Sequence, residues 1–61
     1  MATRAELSSL TASLDELTRR VTSLADSVRP EDEELATELF GVERALNGAL
    51  RRLRRASDQT A

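Results

Sequence analysis

Two stripes of apolar residues run along this chain, and each has the spacing of an amphipathic helix. In the first half, apolar residues recur at alternating intervals of three and four without interruption. This is the a/d heptad pattern of helices that pack against other helices. The first stripe consists of Leu7, Leu10, Leu14, Leu17, Val21, Leu24 and Val28, and the second of Leu35, Leu39, Val42, Leu46, Ala49 or Leu50, and Leu53.

The segment Arg29-Pro30 separates the two stripes. Proline disfavours helical backbone at the residue before it and lacks the amide that an ongoing helix needs, but it suits the first position of a new helix. Near the N-terminus, Thr3 and Glu6 have the spacing of a capping box, which starts a helix. We therefore expect two helices, over about residues 4–28 and 30–56.

Two helices of similar length with a short joint favour an all-α antiparallel hairpin. When residues whose numbers sum to about 60 are paired, apolar residues face each other almost throughout, and Leu17 opposite Glu43 is the exception. The competing topology is one long helix, kinked at Pro30, in an extended coiled-coil dimer; we favour the hairpin. Residues 1–61 then form one domain, and we expect residues 57–61 to fray because no apolar side chain anchors them.

A single hairpin leaves the open side of each stripe in water, and a chain of 61 residues has little apolar surface to bury. The chain has no Cys for a disulfide, and no Cys or His for an ordinary zinc site. We therefore expect self-association into a four-helix bundle or a similar coiled-coil-like assembly. Its core is predicted to consist of Leu7, Leu10, Leu14, Leu17, Val21, Leu24, Leu35, Leu39, Val42, Leu46, Leu50 and Leu53.

The chain lacks most of the residue types on which catalysis depends, since it contains no His, Cys, Lys, Tyr or Trp. Adjacent acids such as Asp15-Glu16 do not face each other on a helix. Carboxylates that work as acid and base also need a dry cleft, which two helices do not provide. We therefore expect no enzymatic activity, no cofactor and no metal centre.

Charge is distributed unevenly along the second half of the chain. Residues 31–50 carry six acids against one Arg, and residues 51–61 carry four Arg against one Asp. The helix dipole favours acids at the start of a helix and bases at its end, so helical structure alone accounts for both runs. An aromatic residue away from the stripe and two glycines inside a helix indicate a second contact surface. The candidate partner surface consists of Phe40, Gly41, Gly48, Arg51, Arg52, Arg54 and Arg55.

These features favour a non-enzymatic interaction or oligomerisation module, acting as a small adaptor, regulatory or accessory subunit. The expected partners are a second copy of the chain, as a homodimer, and a larger protein complex. A cytoplasmic location is expected because the N-terminus lacks the pattern of a signal peptide and no apolar run is long enough to span a membrane.

Three alternatives remain open. The first is a small transcriptional regulator, antitoxin-like, anti-sigma-like or in contact with DNA through Arg51–Arg55. The second is a peripheral membrane protein, and the third is a subunit that folds only beside a larger partner. The Arg cluster contains no aromatic residue for base stacking and follows a run of acids, which weighs against nucleic acid. The absence of an aromatic anchor in the basic segment weighs against a membrane surface.

Overall fold

The computed structural model describes residues 3–59, which form two helices joined by a short turn. Helix α1 spans Arg4–Ser27 and helix α2 spans Glu33–Gln59. The two helices pack side by side in a hairpin that measures 46 × 15 × 14 Å. The predicted all-α hairpin is therefore confirmed, and the single long helix kinked at Pro30 is not what this chain adopts.

Helix α1 begins at the predicted cap residue Thr3, but the Glu6 carboxylate accepts from the Thr3 hydroxyl and not, as a capping box would have it, from the Thr3 amide. The Thr3 hydroxyl accepts a hydrogen bond from the Glu6 amide at 3.0 Å and donates one to the Glu6 carboxylate at 3.2 Å. The Leu7 amide donates to the Thr3 carbonyl at 3.0 Å, which is the first bond of the helical ladder. Thr3 thus satisfies a backbone amide that would otherwise have no partner in the first turn.

The joint between the helices is a tight turn with proline in its second position. The Asp32 amide donates to the Arg29 carbonyl at 3.0 Å, which closes the turn over Pro30 and Glu31. Proline suits this position because its ring fixes the φ angle that the turn requires. Pro30 therefore belongs to the turn. The sequence had led us to expect that it would start α2, and that expectation was wrong.

The first helical bond of α2 joins the Ala36 amide to the Asp32 carbonyl at 3.0 Å, and the helix begins at Glu33. At its other end the helix continues through Gln59, beyond the predicted end at residue 56. No Gly or Pro follows Ala56 to stop it. Residues 57–59, which we expected to belong to a frayed tail, are helical, and the last two residues of that predicted tail lie outside the described residues.

The seam between α1 and α2 uses only part of each apolar stripe. Three of its members, Thr18, Ala25 and Leu50, are buried with 4–6% of their surface exposed, and the others are half-buried. The seam consists of Leu7, Thr11, Leu14, Thr18, Val21, Ala25 and Val28 from α1, and of Ala36, Leu39, Glu43, Leu46, Leu50, Leu53 and Ser57 from α2.

Five of the residues predicted for the core lie outside this seam, with exposed fractions between 44% and 57%. They are Leu10, Leu17, Leu24, Leu35 and Val42. The predicted pairing of residues whose numbers sum to about 60 sets Leu10 beside Leu50, and this is wrong: the smaller residues Thr11, Thr18 and Ala25 face α2 instead.

Threonine is tolerated in the seam because its hydroxyl bonds to its own helix. The Thr11 hydroxyl donates to the Leu7 carbonyl at 2.8 Å, and the Thr18 hydroxyl donates to the Leu14 carbonyl at 2.7 Å. A buried hydroxyl with such a partner avoids the penalty of an unsatisfied polar group. The small side chains of this column also let the two helices approach closely, and the leucines are left on the flank.

Candidate protein-binding surface

The exposed apolar residues of the two helices occupy the same position in the heptad. In α1, Leu10, Leu17 and Leu24 each come one residue before a seam residue. In α2, the same is true of Leu35, Val42 and Ala49. Members of each set are seven residues apart, so each set forms a column along its helix.

Both columns lie on the same side of the hairpin. A twofold axis normal to the plane of an antiparallel helix pair exchanges the helices and leaves the two sides of that plane unchanged. Positions of equal heptad phase therefore share a side. We call the surface formed by Leu10, Leu17, Leu24, Leu35, Val42 and Ala49 the apolar face.

The opposite side of the hairpin, which we call the polar face, is formed by the residues that follow seam residues. It carries Asp15 and Thr22 from α1, and Phe40, Asn47 and Arg54 from α2. Asp15 and Arg54 share one heptad phase, and their side chains approach within 3.9 Å across the two helices. This contact agrees with the assignment of equal phases to one side. Asp15 also binds Arg19, one turn further along α1, at 2.7 Å.

A third column borders the apolar face along α2. Glu38, Ala45 and Arg52 each come one residue before a seam leucine, so they share a heptad phase and flank Val42 on the outer side. The column has an acidic residue near the start of α2, a small residue in the middle and a basic residue near the end. The spacing of seven is visible in the sequence, but its meaning depends on knowing which residues form the seam.

Two shallow depressions repeat this charge pattern on the surface of α2. One lies over the first turns and is lined by Glu33, Glu34, Thr37 and Glu38. The other lies over the last turns and is lined by Ala45, Gly48, Ala49, Arg51, Arg52 and Arg55. The hairpin therefore has an acidic end at the turn and a basic end where α2 finishes.

The predicted partner residues do not form one surface. Gly48, Arg51, Arg52 and Arg55 lie together at the basic end. Phe40 lies apart from them on the polar face, with 52% of its surface exposed.

Neither glycine is required by the packing of the hairpin. Apart from the adjacent helical backbone, a methyl group on Gly41 would meet no atom of residues 3–59 within 4 Å, and one on Gly48 would meet only the Arg51 guanidinium at 3.9 Å. The two glycines lie seven residues apart on the outer surface of α2, so close packing against α1 does not explain them.

The rest of the chemistry of the surface is simple. Within residues 3–59, no group of three or more acids is placed to hold a metal ion, and neither helix is long and apolar enough to cross a membrane. No protein-family model, curated protein or solved structure matches this chain.

Proposed function

We propose that this chain is a non-enzymatic interaction module that self-associates through its apolar face and serves as a small adaptor, regulatory or accessory subunit. The observation that carries the proposal is the apolar face itself, in which two columns of exposed leucine and valine share one side of the hairpin. Single exposed apolar residues are ordinary on protein surfaces, but a contiguous patch is typical of an interface.

The surface area of the chain supports the same conclusion. The hairpin exposes 4947 Å². A compact monomer of 6.7 kDa is expected to expose about 3,900 Å², so this chain exposes about 1,000 Å² more than a compact fold of its mass. A standard protein interface buries about 800 Å² on each partner. The excess is therefore large enough to supply one stable interface.

Two hairpins that bring their apolar faces together form a four-helix bundle. Each helix then has two neighbours, one across the seam of its own hairpin and one across the new interface. The leucines that are exposed in one hairpin join the seam leucines in a common core, as the heptad pattern requires. In this arrangement, all twelve residues of the predicted self-association core are covered.

Sedimentation equilibrium tests the proposal. The unmodified chain is expected to have twice the monomer mass at micromolar concentration. Leu17→Gln on the apolar face is expected to weaken the dimer more than tenfold, because burying a leucine contributes about 2 kcal/mol.

Phe40→Gln is the matched control, since Phe40 is also about half exposed but lies on the polar face. It is expected to leave the dimer intact. A folded chain that stays monomeric at high micromolar concentration, or equal weakening by both substitutions, would overturn the proposal.

A further inference from the structure

The charge pattern of α2 assigns an orientation to the second copy, and this inference rests on the proposed self-association. We propose that the two hairpins pair antiparallel, with their turns at opposite ends of the bundle. Each α2 then lies beside the α2 of the second copy, and the acidic start of one is next to the basic end of the other.

In this orientation, each charged column of α2 is complementary to the same column in the second copy. The outer column reads Glu38, Ala45, Arg52, so a twofold axis at Ala45 places Glu38 of each copy opposite Arg52 of the other. The neighbouring column reads Glu34, Gly41, Gly48, Arg55, and the same axis places its acid opposite its base and its glycines opposite each other. Opposite charges therefore meet at both ends, and small residues meet in the middle.

Helix α1 fits the same axis. Its exposed leucines are centred on Leu17, so an axis at that residue places Leu10 opposite Leu24 of the second copy. Leu17 lies ten residues before the end of α1, and Ala45 lies twelve residues after the start of α2. At about 1.5 Å per residue the two are within about 3 Å of the same height, so one axis serves both helices.

The small residues near the axis have a use in this arrangement that they lack in the single hairpin. Ala45 and Ala49 leave the middle of α2 without bulky side chains on the side that meets the second copy. A neighbouring helix can then approach closely there, while the charged pairs lie at the rim of the interface.

The parallel alternative, with both turns at one end, matches the charges less well. It places α1 of one copy beside α2 of the other, where Arg20 is the available partner for Glu38. The two acid-rich turns then come together at one end, and the two Arg clusters at the other. Like charges at both ends disfavour this arrangement, more strongly at low salt.

Distances between spin labels on the assembled chain test the orientation. The chain contains no Cys, so Glu31→Cys in the turn and Gln59→Cys at the end of α2 each give one labelled site per copy. In the antiparallel dimer, two turn labels are expected about 40 Å apart, close to the 46 Å length of the hairpin. In the parallel dimer they would lie within about 20 Å.

A dimer that contains one copy of each labelled variant reports the distance between the turn of one copy and the end of α2 in the other. Its turn label and the end label of the other copy are expected within about 20 Å if the hairpins are antiparallel. A dimer with two neighbouring turns would overturn the orientation and leave the proposed function standing. A monomeric chain would overturn both.

Charge reversal provides a second measurement with a matched control. The double variant Arg52→Glu, Arg55→Glu places acid against acid at both ends of the antiparallel dimer and is expected to weaken it about tenfold or more. Adding Glu34→Arg and Glu38→Arg to the same chain restores opposite charges and the original net charge, so affinity is expected to recover. No recovery in a chain that remains helical would contradict the proposed pairing.

Discussion

The two sides of the hairpin differ in the side chains that they expose: one carries mainly polar groups with partners in the chain, and the other carries exposed leucines. On the polar face, Asp15 is paired with Arg19 and lies close to Arg54 of the other helix, and the side-chain amide of Asn47 donates to the Glu43 backbone carbonyl at 3.0 Å. On the apolar face, leucines of both helices are about half exposed. Apart from Phe40, which is 52% exposed on the polar face, one side of the helix pair is therefore suited to solvent and the other to another protein surface.

The difference arises because the seam uses only some of the heptad positions that could face the other helix. In α1, each exposed leucine is followed by a small residue in the seam, as Leu17 is by Thr18 and Leu24 by Ala25. The small residue serves the contact within the chain, and the large residue remains for a contact between chains. A side chain that is absent from the seam of one hairpin is thus available for the interface between two.

Removing the apolar face is expected to have the largest effect. In the variant Leu10→Gln, Leu17→Gln, Leu24→Gln, each copy loses about 2 kcal/mol of burial per leucine at the proposed interface. The thermal midpoint of the unmodified chain is expected to rise with protein concentration, because association stabilises the folded state by mass action. The variant is expected to melt at a lower temperature that does not depend on concentration, as measured by circular dichroism.

The control for that variant changes the same number of residues on the polar face. Ser8→Gln, Thr22→Gln and Asn47→Gln replace exposed or half-buried polar residues, and the melting temperature is expected to keep its dependence on concentration. If both triple variants behave alike, the two faces are equivalent and the comparison between them fails.

A change in the seam itself is expected to have the next largest effect. Leu50 is 4% exposed and belongs to the contact between α1 and α2. Leu50→Ala is expected to lower the free energy of unfolding by roughly 2–5 kcal/mol, through lost burial and the cavity left behind. Chemical denaturation measures this change; a loss no larger than that from Leu53→Ala, at a half-buried site, would contradict the central position of Leu50.

Glycine replacement is expected to act in the opposite direction. Gly41→Ala adds a methyl group where the hairpin has open space and is expected to raise helix stability by about 1 kcal/mol. The measurement is the free energy of unfolding in a monomeric background, the triple variant Leu10→Gln, Leu17→Gln, Leu24→Gln. The same substitution in the unmodified chain is expected to give a similar gain, because Gly41 lies on the outer surface of α2 and not on the apolar face.

The smallest expected effect concerns the ion pairs of the polar face. Asp15→Asn removes the charge that binds Arg19 and approaches Arg54, and such partly exposed pairs contribute roughly 0–1 kcal/mol. The loss in unfolding free energy is expected to shrink as salt is added. Glu16→Gln is the control: this exposed acid next to Asp15 forms no ion pair within residues 3–59, and its replacement should change stability less.

The elements of the fold were predictable from the sequence because their signals are local. The 3-4 spacing of apolar residues fixes the helical period, Thr3 with Glu6 marks a start, and Pro30 requires a break. Each of these depends on residues within one or two turns of one another. The start of α2 was misplaced by three residues because proline suits both a turn and a first helical position, and the sequence does not separate the two.

The sequence by itself determined that this chain forms two amphipathic helices with more apolar surface than one hairpin covers. Only the tertiary structure decided which column of each stripe faces the other helix, and hence that Thr18 lies in the seam and Leu17 outside it. An apolar stripe is wide enough to serve two neighbours, and its pattern is a property of one helix alone. The rotation of each helix about its axis depends on the turn at Pro30 and on how closely the side chains of both helices let them approach.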